Sequence, residues 1–65
     1  MKVIVYPDRS GDFRWKLKAE NGEILADSGE GYRHRGYAIS KAESLFPNAE
    51  LVIEEEALPS VGEQA

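Results

Sequence analysis

The sequence predicts an α+β fold: an antiparallel three-stranded sheet of order β-β-β-α, packed on one helix, with a fourth C-terminal strand following. Three observations carry that expectation. Residues from Phe13 to Ala19 alternate with period two, Asn21-Gly22 follows at once, and apolar residues recur at helical spacing at Ala38, Ile39, Ala42, Leu45 and Phe46.

Lys2 to Tyr6 is β-branched and aromatic and reads as the first strand. Pro7 to Asp12 reads as a turn, because proline presets φ, glycine admits positive φ and aspartate bonds nearby backbone. In the second strand Phe13, Trp15, Leu17 and Ala19 share one side, and Arg14, Lys16 and Lys18 the other. Asn21-Gly22 predicts a two-residue type I′ hairpin turn, with positive φ at both residues. That register sets Glu20 against Glu23, Ala19 against Ile24, Leu17 against Ala26 and Lys16 against Asp27. Gly29-Glu30-Gly31 ends the third strand. A helix is expected from about Arg33 to Phe46, stopped by Pro47-Asn48. Ala49 to Glu56 alternates again as a last strand, which makes residues 1–56 one domain and leaves 57–65 a tail without periodicity, expected to be flexible.

Composition narrows the functional classes. The chain has 65 residues, is 42% apolar and contains no cysteine, so no disulfide staples it and no thiolate attacks or ligates. Small cores have thin stability margins, so association with a second copy is a natural expectation. Its early apolar run, Val3 to Tyr6, is too short for a signal peptide or a membrane span, and a cytoplasmic location is expected. Charge is unevenly spread. All eight bases lie in residues 1–42 beside six acids, whereas residues 43–65 hold six glutamates and no base.

Phe13-Arg14-Trp15-Lys16-Leu17-Lys18-Ala19, then Asn21-Gly22, then Ser28-Gly29-Glu30-Gly31-Tyr32 give a pattern that resembles the YegP-like family of small domains of unknown function, over roughly residues 3–48. The resemblance implies a β-β-β-α unit found as tandem copies or as homodimers, with no activity attached. Arg33 and His34 stand where such domains carry small capping residues, and an apolar, glutamate-rich segment follows the helix.

Catalytic chemistry finds no constellation. There is one histidine, His34, and no serine has nucleophile-elbow context, so the chain is expected not to be an enzyme and to need no cofactor or metal. Asp8-x-Ser10-x-Asp12 has the first ligand spacing of a calcium loop, but Phe13 stands where that loop needs glycine and Ala19 where it needs glutamate. Glu43, Glu50, Glu54, Glu55 and Glu56 form the candidate partner-binding face. Massed carboxylates attract a basic protein surface, such as that of a nucleic-acid-binding complex, and can imitate a phosphate run as anti-CRISPR-type inhibitors do. The plain alternative is a solvated strand end that discourages aggregation. Arg33, His34 and Arg35 beside Gly29 and Gly31 are a candidate anion site at the helix start, unless they lie in the loop and the helix starts later. Arg14, Lys16 and Lys18 make a weaker candidate for direct nucleic-acid binding, since Phe13 and Trp15 face away from them. The expected function is therefore a non-catalytic acidic binding or inhibitor protein, with a homodimeric housekeeping domain as the alternative.

Overall fold

A computed structural model of the chain describes residues 1–55. Its elements are β1 (Lys2–Pro7), β2 (Phe13–Lys18), β3 (Ile24–Asp27), α1 (Arg35–Leu45) and β4 (Glu50–Ile53). They build one four-stranded sheet in the order β3-β2-β1-β4, backed on one face by α1. The expected fold class holds, and the C-terminal strand forms. The sheet is mixed, however, because β4 runs parallel to β1.

Chain geometry explains that direction. β1, β2 and β3 form an antiparallel meander, so β3 ends at the far side of the sheet from where β1 begins. Reaching the free edge of β1 means crossing three inter-strand spacings, roughly 14 Å. The 11 residues of α1 supply about 16 Å of rise while returning the chain to the starting end. The strand that follows must then run in the same direction as β1.

The β2–β3 hairpin keeps the expected pairs Lys16↔Asp27 and Leu17↔Ala26 but reaches them by another route. Asn21 has no positive φ; only Gly22 does, at 92°. The Gly22 N–H donates to the Ala19 carbonyl (2.9 Å) and the Ala19 N–H to the Glu23 carbonyl (2.8 Å). This is a type I turn followed by a left-handed glycine, a three-residue loop in place of the two-residue I′ turn. Asn21 Oδ1 accepts from the Glu23 N–H (2.9 Å), which holds Asn21 in the right-handed region. Glu20 and Glu23 no longer face each other, and Lys18 instead of Ala19 meets Ile24. A bulge at Leu25 then restores the pairing at Leu17.

Beyond β3, Phe13 and Tyr32 exchange backbone hydrogen bonds of 2.7 and 2.8 Å, carrying the pairing past the Ser28–Gly31 turn. Gly31 passes so close to β2 that a Cβ there would lie 2.6 Å from Asp12 Cβ. Ser28 Oγ donates to the Glu30 carbonyl (2.8 Å) and closes the loop. The Ser28–Tyr32 motif is thus explained by the backbone it builds.

The core lies between the sheet and α1: Val3 and Val5 of β1, Trp15 and Leu17 of β2, and Ala38 and Ala42 of α1. Both alanines are fully buried, so the helix backbone comes down close to β1 and β2. Phe46 meets Trp15 edge-on at 5.1 Å, and Ile39 and Leu51 pack at the margin. Leu45, expected in the buried stripe, is 53% exposed, and α1 begins at Arg35, two residues later than expected.

Candidate functional site

Strand alternation sends Val3, Val5, Trp15, Leu17 and Leu51 toward the helix, and among the described residues no element covers the opposite, open face of the sheet. Across that open face the register forms rows. Lys18, Lys2 and Glu50 make the first row, and Asp27, Lys16, Ile4 and Val52 the second; Arg14 and Tyr6 make the third, with Glu54 just past β4. The basic stripe on β2 and two of the candidate glutamates therefore share one face, separated by the single strand β1. This is the central revision to the electrostatic picture, because the charge segregated along the chain is brought back together in space.

Arg14 and Lys16, two of the four bases of that face, are engaged. Arg14 Nε donates to Asp8 Oδ2 at 2.7 Å. Lys16 Nζ sits over the Tyr6 ring, 5.0 Å from its centroid, and lies opposite Asp27. Burial pulls the Lys16 ammonium below its usual range, with Lys18 adding to the effect and Glu54 opposing it. Burial likewise raises the Tyr6 phenol, against the pull of Arg14. Tyr6 supplies the aromatic that β2 lacks on this side. The signal for it was the β1–β2 register, which sets Tyr6 opposite Arg14.

Asp8 organises the β1–β2 turn. Its Oδ1 accepts from the Ser10 N–H (2.9 Å), Ser10 Oγ (2.7 Å) and the Asp12 N–H (3.0 Å), while Oδ2 takes Arg14. The Arg14 hydrogen bond, with help from Ser10 and Asp12, lowers the Asp8 carboxyl to about 2 against burial. Both oxygens serve the turn, so the calcium-like spacing is a loop staple.

The candidate acidic residues separate into two groups. Glu50 and Glu54 lie on the open face along β4, with exposed Glu55 next to them. Glu43 lies on α1, behind the sheet, on the rim of a cleft of about 260 Å³ lined also by Val3, Phe46, Pro47, Ala49 and Leu51. Glu56 falls outside the described residues, as does the expected tail 57–65. Between the two groups runs the outer edge of β4. The Glu50 N–H donates to the Met1 carbonyl (3.0 Å) and the Glu54 N–H to the Val5 carbonyl (2.8 Å). In a parallel ladder of that phase, Leu51 and Ile53 turn their N–H and C=O groups outward. Among the described residues, the strand that covers β1 is thus itself an unpaired edge flanked by carboxylates.

The candidate anion site takes another form. Arg33 lies in the bend before the helix, His34 is the N-cap and makes no side-chain cap bond, and Arg35 opens α1. The Arg35 guanidinium lies over the Phe13 ring, 5.0 Å from its centroid, so it packs on β2. All three side chains are exposed. Among the described residues no group of His, Asp or Glu has the geometry of a metal site, and no helix is long and apolar enough to cross a membrane.

Comparison with known proteins places this geometry in a family. Residues 8–51 match the model of the domain of unknown function DUF1508. A UPF0339 protein of Treponema denticola is 44% identical over 48 residues, covering 74% of this chain and 81% of that protein. A UPF0339 protein of Methanosarcina acetivorans is 37% identical over 55 residues, covering 80% of this chain and 93% of that protein. A solution NMR structure of a protein from Haloferax volcanii superposes with a TM-score of 0.61 at 38% identity, covering 80% of this chain and 97% of that one. Residues 8–51 take in β2, β3, the close approach at Gly31, α1 and the start of β4, and this chain belongs to the DUF1508 family, whose relatives here are UPF0339 proteins.

Proposed function

We propose that the protein is a non-catalytic binding module whose β4 margin engages a basic surface on a partner protein. The observation that supports this reading is the outer edge of β4, unpaired among the described residues, with Glu50 and Glu54 on its open-face side, exposed Glu55 beyond its end and Glu43 behind it. On the same face Arg14 is held by Asp8 and Lys16 lies over the Tyr6 ring, whereas Glu50 and Glu54 stand at the β4 margin of the sheet. A phosphate mimic needs an unbroken run of anions. Val52 interrupts this one, and Glu50 and Glu54 stand four residues apart, about 13 Å along a strand. The geometry therefore favours a basic protein segment over nucleic-acid mimicry.

The test is titration with a lysine-rich peptide at several salt concentrations. Binding should weaken steeply as the Debye length shrinks from about 30 Å at 0.01 M to about 10 Å at 0.1 M. The triple variant Glu50→Gln, Glu54→Gln, Glu55→Gln should lose most of that salt dependence while melting like the parent. Unchanged binding by the variant rejects the reading.

A second reading has its own observation. The cation column on β2 and the anion column on β4 flank β1 symmetrically on the open face, with Ile4 and Tyr6 between them. A two-fold axis parallel to the strands would stack the cations of one copy on the glutamates of another. This arrangement supports self-association through the open face.

A further inference from the structure

We infer that the β4 edge binds its partner by strand addition, taking an extended peptide of alternating basic and apolar residues as a fifth strand of the sheet. The inference rests on the binding-module reading and specifies its mode. Three features converge on it. Leu51 and Ile53 direct backbone donors and acceptors outward, as a strand-adding ligand needs. On the helix side Ile53 is 42% exposed, Leu51 is half-buried, and the cleft between β4 and the end of α1 is lined by apolar groups with Glu43 at its rim. On the open side stand Glu50 and Glu54.

An added strand alternates as β4 does. Its residues on the open side meet the two glutamates and are best basic. Those on the helix side meet Leu51, Ile53 and the cleft and are best apolar. Charge decides against a second copy at this edge, because pairing β4 with β4 would crowd Glu50, Glu54 and Glu55 of both chains along one seam.

The probe is a blocked six-residue peptide of alternating lysine and valine, titrated into the full chain at low salt and followed through its amide resonances. Strand addition predicts hydrogen-exchange protection at the Leu51 and Ile53 amides, and binding weakened about tenfold or more when the peptide backbone is N-methylated without loss of charge. Ile53→Pro removes an outward N–H and leaves the β1 ladder intact, so it should weaken binding about tenfold with the fold retained. If the methylated peptide binds as well as the parent, strand addition is wrong while the acidic-margin reading stands. If neither peptide binds, both are wrong.

Discussion

Asp8 shows how one side chain fixes a turn and sets a pH dependence. Four hydrogen bonds hold it as a carboxylate, lowering its carboxyl from the usual 3.8 to about 2. As pH falls, the unfolded chain takes up this proton before the folded one, so stability drops between about pH 4 and pH 2. The Arg14 side chain is 38% exposed, and solvent screening reduces the contribution to about 1 kcal/mol. Asp8→Asn should therefore destabilise the domain by about 1 kcal/mol at pH 7, and the gap from the parent should close as pH falls to 2. Urea unfolding across that range reads it directly; a gap that persists at pH 2 would assign the cost to geometry alone. Trp15 is the residue with no such account. It is 6% exposed, and its Nε1 has no hydrogen-bond partner among the described residues.

Elements here are held as much by close backbone approach as by side-chain packing. The loop after β3 returns to β2 through the Phe13–Tyr32 bridge, and Gly31 makes the approach by lacking a Cβ. Gly31→Ala should cost about 1–3 kcal/mol, because the added methyl meets the Asp12 Cβ, which has no free rotation to withdraw it. A lower urea midpoint with faster exchange at the Tyr32 amide is the expected result; an unchanged midpoint would show that the loop yields freely. The hairpin gives the same lesson about backbone. Asn21-Gly22 marked the turn, yet the Asn21 side-chain bond to the Glu23 N–H selected the three-residue form, and the Leu25 bulge returned the strand to register.

At the scale of the molecule, β4 and α1 decide how the charges meet. The helix crosses two strands on a pair of alanines and delivers the glutamate-bearing segment to the edge beside β1, on the face that carries the lysines. The net charge of −4 thus becomes one mixed face with an acidic margin. Light scattering at several salt concentrations separates the two functional readings. Docking on the β4 margin alone leaves a monomer throughout, whereas stacking of open faces gives a dimer that dissociates as salt rises.

The sequence by itself determined the α+β class, the β2 face pattern, the place of the β2–β3 turn and the helix stripe at Ala38 and Ala42. Each follows from periodicity or turn chemistry within about 20 residues, where local geometry dictates the outcome. Only the tertiary structure decided that β4 runs parallel to β1, that Glu50 and Glu54 share a face with Lys16, and that Glu43 stands behind the sheet. Those facts depend on where a helix sets down a distant strand. A linear pattern of charges contains no record of that crossing, because the path is chosen by packing against a surface built from other segments.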